Sequence, residues 1–186
     1  MTPTDAAPDD GYRPTPRGGP RLRTDIIDVY IFRRRADAAG TGARAQFLQL
    51  LRASDPLGGT WQPVMGHVEA GETALQTALR EAAEEVGLLP RDADFISMWA
   101  LEQVHPYYIA ALDAIVLSPR FCVEVAPTWE PTLNPEHSRA RWTTDPALFM
   151  WPGSRRAVEE VLEHIVAGSD AEPRLRVDLS ASPRPA

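Results

Sequence analysis

At 186 residues, 44% hydrophobic and 24% charged, the chain has the length and mix of one soluble globular domain with loose ends. Its net charge of −7 argues against a general binder of nucleic-acid polymers or anionic membranes, because phosphate polyanions want a basic surface. All 19 basic residues are arginine, which excludes Schiff-base and lysine-nucleophile chemistry, and the single cysteine, Cys122, excludes an intrachain disulfide or a cysteine-built zinc site.

Residues 1–22 carry Pro3, Pro8, Pro14, Pro16 and Pro20 and too few apolar groups to offset the entropy of ordering, so they read as a disordered tail. Residues 169–186 have a similar composition and read as a flexible C-terminal tail; the domain is expected over 23–168. No secretory signal and no apolar run of membrane-spanning length is seen, so a cytoplasmic location is expected. Asp25 to Phe32, Phe47 to Leu51 and Trp61 to Val68 read as extended, with turn chemistry at Asp55–Gly59. A helix follows over 73–86. Thr73 and Gln76 form a capping-box pattern at its start, and Gly87 and Pro90 mark its end. Phe95 to Trp99, Ala111 to Val125 and Arg139 to Trp142 add strands. A second helix over 154–167 places Val158, Val161, Leu162 and Ile165 on one stripe. Strands interleaved with helices give an α/β fold with a mixed sheet.

The helix at 73–86 separates its chemistry by face. Leu75, Ala78, Leu79, Ala82 and Val86 share an apolar stripe. Glu81, Glu84 and Glu85 project together from a neighbouring face, since residues three and four apart are neighbours, and Glu85 lies at the stripe's edge, where half-burial is expected. An ordinary solvated face would intersperse basic residues, and only Arg80 is near. Aligned carboxylates on a rigid element suit a hard divalent cation, Mg²⁺ or Mn²⁺, although a Glu-rich face is more often merely solvated. The loop Gly66 to Glu72 enters the helix through two glycines, which allow a carbonyl to be exposed to a metal or a phosphate to approach. Glu72 is placed to pair with Arg80.

The run Gly66, Glu72, Arg80, Glu81, Ala82, Glu84, Glu85, Gly87, Leu88 resembles the signature box of the Nudix hydrolases, with every fixed Gly, Glu and Arg present. Ala82 stands where the pattern prefers a larger aliphatic residue, a matter of packing. Seven fixed residues match by chance on the order of 10⁻⁸ per start position. The resemblance implies a Nudix-type α/β/α sandwich. It also implies Mg²⁺- or Mn²⁺-dependent hydrolysis of a diphosphate linkage in a nucleoside triphosphate or a nucleoside diphosphate joined to another group. Carried over by position, Glu81, Glu84, Glu85 and the Gly66 carbonyl are expected to hold metal, and Glu72 with Arg80 to be a structural pair.

Beyond the box, Leu133 to Trp142 resembles the segment before the last strand of Nudix enzymes acting on nucleoside or pterin triphosphates. This makes Glu136 a further metal or proton-transfer candidate beside Glu84 and Glu85. His137 reads either as a proton shuttle or as an unremarkable loop histidine. Trp61 and Gln62, followed by Gly66, resemble the dihydroneopterin triphosphate and dATP pyrophosphohydrolase-like group, and Arg52 sits where that group carries an arginine near the phosphates. Arg52, Trp61 and Gln62 are therefore the expected substrate contacts. Trp99, Tyr107 and Tyr108 are weighed between ring stacking and packing, and Arg33, Arg34 and Arg35 between phosphate contact and a solvated loop. The expected partner is a nucleotide or pterin triphosphate, and the resemblance alone suggests a homodimer. A non-catalytic nucleotide sensor on the same fold is the alternative, disfavoured because no box carboxylate is lost.

Overall fold

The apolar run after Asp25 is buried on both sides, as expected of a strand at the centre of a layered fold. It forms β2 (Ile26–Ala36), which follows a short β1 (Arg21–Arg23). The computed structural model describes residues 19–36, 43–55, 57–149 and 151–180. The remaining elements are β3 (Ala43–Arg52), β4 (Trp61–Gln62), β5 (Val64–His67), α1 (Ala74–Val86), β6 (Phe95–Ala100), β7 (Tyr107–Ile109), β8 (Ala114–Val116), β9 (Arg120–Val125), β10 (His137–Thr143), α2 (Pro152–Glu160) and α3 (Glu172–Leu175). The last turns of α2 widen to π-helical geometry over Val161–Val166.

The main sheet runs β10-β3-β2-β9-β6, with β4 paired to β3 and β5 paired to β2. β2 and β9 are parallel and the other pairings antiparallel, which makes the sheet mixed. Strand alternation divides the core. Ile27, Val29 and Ile31 face one way, against Ala78, Ala82 and Val86 of α1. Tyr30 and Phe32 face the other way, against Ala157, Val158, Val161 and Ile165. The expected α/β/α sandwich with a mixed sheet is the observed fold. A separate three-stranded sheet, β1-β8-β7, pairs β1 in parallel with β8.

Several elements differ from expectation. The stretch 111–125 is two strands, because a 3₁₀ turn occupies Ala110–Leu112 and Pro119 separates β8 from β9. Arg33 to Arg35 lie inside β2. Arg33 is buried against the Trp142 ring (3.9 Å) and bonded to Gln46, Glu130 and the Trp129 carbonyl. Arg34 bonds Glu124 and the carbonyls of Ile165 and Val166, so both side chains serve packing rather than a phosphate or a solvated loop. Trp99 is core, 2% exposed, whereas Tyr107 and Tyr108 are exposed on the small sheet.

Both expected tails contribute to the packed structure where they are described. Arg21 and Leu22 belong to β1. Past residue 168, Leu175 is buried in the α2-side core, Trp99 donates to Glu172 (2.7 Å), and Val177 N–H donates to the Met98 carbonyl (2.8 Å). Residues 1–18 and 181–186 lie outside the described residues. Among the described residues no helix is long and apolar enough to cross a membrane.

Candidate active site

The helix α1 is fixed at both ends by local chemistry. The Thr73 hydroxyl accepts from Gln76 N–H while the Gln76 side chain accepts from Thr73 N–H, closing the capping box. Gly87 ends the helix at φ 72°, in the left-handed region. Burying Ala78 and Ala82 on β2 and β5 brings the acidic face of α1 down to the start of the box.

That closeness explains Gly66. It is extended in β5, paired with Ile27, and its φ is not positive. Its glycine is required by clearance: a Cβ at this position would collide with the Glu81 carboxyl group. Left-handed freedom is used instead at Gly71, φ 87°, where the loop turns into α1.

Arg80 ties the loop to the helix. Its Nε donates to one Glu72 oxygen at 2.9 Å and Nη2 to the other at 3.0 Å, while Nη2 also reaches the His67 carbonyl. Thr77 and the Glu69 N–H complete the shell around Glu72. The guanidinium holds the Glu72 carboxyl down at about 2, so the pair stays charged at neutral pH. The same Arg80 reaches Glu81 (2.8 Å) and Glu84 (3.2 Å), contacts the pairing of Glu72 with Arg80 alone did not suggest.

The three helix carboxylates lie in different environments. Glu84 is more than half exposed, Glu81 is mostly covered, and Glu85 is buried, not half-buried as expected. Burial pushes Glu81 up to about 7; Arg80 opposes the rise, and Glu85 and Glu84 add to it. Burial raises Glu85 too, against the pull of His137 and of the Met65 N–H. Such groups repay a nearby cation, which removes both the desolvation cost and the mutual repulsion. The all-oxygen donor set of Glu81, Glu84 and Glu85 suits Mg²⁺ or Mn²⁺, and Glu85 Oε2 is a buried atom with no directed hydrogen bond. The set is not gathered in advance: among the described residues no three His, Cys, Asp or Glu side chains are grouped as a metal centre, and Glu81 and Glu84 turn to Arg80.

Glu136 stands just before β10, and Arg52 at the end of β3 donates to it. His137 pairs with Arg52 in the register and turns its ring toward Glu85, with Nε2 3.0 Å from Oε2. It is 4% exposed and opens β10, so it is a buried strand residue rather than the loop histidine of the sequence reading. Trp61 and Gln62 point to opposite faces of the sheet, as neighbours in a strand must. Gln62 is 2% exposed with Oε1 unpartnered, and the Trp61 ring carries the Arg141 guanidinium at 4.1 Å. Arg141 in turn donates to Gln49 (2.7 Å). The structure thus brings Gly66 against Glu81, and Glu136 with its Arg52 partner toward Glu85, and does not bring Trp61 and Gln62 into one pocket. Sequence reasoning missed Arg141 on Trp61 and the burial of His137. The alternation Arg139, Arg141 along β10 was the one signal for the former.

A family model, the NUDIX domain, matches residues 22–161. The chain belongs to the Nudix family. A Myxococcus xanthus octanoyltransferase is 36% identical over 132 residues, which are 70% of this chain and 33% of that protein. A Sus scrofa bis(5'-nucleosyl)-tetraphosphatase (asymmetrical) is 50% identical over 60 residues, 32% of this chain and 40% of that one. The matches thus span between a third and two fifths of these curated relatives. Among solved structures, a C. elegans Ap4A hydrolase superposes with TM-score 0.61 at 19% identity, covering 79% of this chain and all of that one. The E. coli dihydroneopterin triphosphate pyrophosphohydrolase gives 0.60 at 24%, covering 80% and 99%. At these identities the structural likeness establishes the fold of this Nudix domain.

Proposed function

We propose that this Nudix domain is a divalent-metal-dependent hydrolase of a diphosphate linkage in a nucleoside triphosphate or another nucleotide-like substrate. The observation that carries the reading is the carboxylate face of α1, with Glu81 seated where only a glycine at 66 leaves room. Glu81, Glu84, Glu85 and the Gly66 carbonyl would hold Mg²⁺ or Mn²⁺, with Glu136 as a further ligand or proton acceptor. When bound, the cation neutralises phosphate charge and makes a water easier to deprotonate.

The chain's own groups supply the rest. Arg52, already bonded to Glu136, is placed to exchange that carboxylate for a phosphate oxygen. The exchange frees Glu136 to accept a proton from the attacking water. Arg80 offsets repulsion among Glu81, Glu84 and Glu72 before substrate arrives. Arg141 stacked on Trp61 offers a flat cationic surface for a nucleobase or pterin ring. The tetraphosphatase relative and the pterin triphosphate hydrolase neighbour both support a substrate with a chain of phosphates.

The test is turnover by the full chain with Mg²⁺ or Mn²⁺ on nucleoside triphosphates, pterin triphosphates and dinucleoside tetraphosphates, with products separated to identify the bond cut. Release of pyrophosphate or of a nucleotide fragment from at least one substrate is expected, and Glu85→Gln should lower kcat at least 100-fold while the protein stays folded. Tight nucleotide binding without turnover at any metal concentration would replace the enzyme with a sensor.

A further inference from the structure

We propose that His137 is a positioning residue for the metal site: its Nε2–H holds the Glu85 carboxylate in the orientation that takes up a divalent cation. The inference rests on the reading of Glu85 as a metal ligand.

The imidazole is fully covered and the Glu85 side chain is 2% exposed, with Nε2 and Oε2 3.0 Å apart. Neither ring nitrogen makes a directed hydrogen bond, and neither does Glu85 Oε2. A buried imidazole without partners is costly, and an aliphatic side chain would fill the space without that cost. Glu85 is the polar contact that gives a histidine a purpose here. A small rotation of the ring or of the carboxylate turns the close approach into a donated N–H.

The scaffold behind the ring is fixed. Thr132 N–H donates to the Val86 carbonyl (3.0 Å) and Asn134 N–H to the Glu85 carbonyl (3.2 Å), so the segment before His137 is bonded to the last turn of α1. Ala53 N–H donates to the Glu136 carbonyl (2.8 Å), which bonds the same segment to the end of β3. The ring is thereby placed by two elements of the sheet and helix, and the Met65 N–H approaches Glu85 from β5. In the proposed arrangement the His137 ring and the Met65 N–H would hold Glu85 from two sides, leaving its other lone pairs for the ion. Outer partners of this kind set the orientation of a ligand and with it metal affinity.

The experiment measures Mn²⁺ binding to the full chain by the loss of the free-ion EPR signal, without nucleotide, for wild type, Glu85→Gln, His137→Leu and His137→Gln. Melting in EDTA establishes that each variant is folded. Glu85→Gln should weaken binding. His137→Leu should weaken it about 10–100-fold and lower kcat, with the nucleotide KM at saturating metal unchanged. His137→Gln, which puts an N–H near the Nε2 position, should restore most of both. If His137→Leu does not fold, His137→Asn takes its place, its shorter amide stopping short of Glu85. Wild-type Mn²⁺ affinity in His137→Leu, with affinity lost in Glu85→Gln, would overturn the role of His137 and leave the metal site standing. Unchanged affinity in Glu85→Gln would overturn the metal reading itself and the inference with it. Imidazole nitrogen coupling to bound Mn²⁺ in pulsed EPR would make His137 a direct ligand, contradicting a positioning role.

Discussion

Gly66 shows how much one absent side chain controls. Its missing Cβ is the space that the Glu81 carboxyl group occupies. Glycine-for-flexibility was the natural reading of the sequence, yet the backbone there is ordinary strand and the requirement is steric. Gly66→Ala is therefore expected to displace Glu81 from its seat. Overpacking of this kind costs about 1–3 kcal/mol, so the variant should fold with a lowered melting temperature while its Mn²⁺ affinity falls at least tenfold. Calorimetric melting beside a metal titration separates the two effects; unchanged metal affinity would mean that Glu81 does not need this seat.

At the scale of elements, the loop before α1 and the helix itself are joined by the Glu72–Arg80 pair. The folded Glu72 carboxyl sits at about 2 against an ordinary 4.5. An acid whose value is lowered on folding contributes stability above its unfolded value and loses that contribution as pH falls toward the folded one. The stability difference between wild type and Glu72→Gln should thus be full at neutral pH, shrink below about 4.5 and vanish near 2. Urea unfolding across that range checks it, and a difference constant with pH would deny the ion pair its role. This helix was legible in the sequence because its determinants are local: Thr73 with Gln76, Gly87 at the end, and an apolar stripe with a period of 3.6 residues. The reach of Arg80 to Glu81 and Glu84 was not: adjacent helix residues do not face each other by spacing, and an i,i+4 pair competes with solvent for each long side chain. Nor was the meeting of Glu85 with His137, which depends on where β10 lands against α1 and leaves no trace in spacing.

At the scale of the whole molecule, the two cores flank one sheet, and the residues after 168 help close the second. Composition alone assigned that stretch to a tail; a single leucine and a tryptophan–glutamate hydrogen bond decide otherwise, and neither alters composition enough to be seen. Leu175 is 4% exposed among Trp99, Leu101 and Ile165. Leu175→Ala should cost about 2–5 kcal/mol, the range for emptying a buried leucine site; a two-state denaturation curve matching wild type would show that this stretch does not contribute to the domain. The layering leaves the acidic end of α1 beside the ends of β3 and β10, so that a helix, a loop and two strands meet at one place. The most direct test of the account is a crystal soaked in Mn²⁺ with a slowly hydrolysed nucleotide and measured for anomalous scattering. The account predicts an ion among Glu81, Glu84, Glu85 and the Gly66 carbonyl, ligated by oxygen, and a phosphate beside it. Absence of any ion there, with Glu81 and Glu84 still turned to Arg80 while the nucleotide is bound, would contradict it.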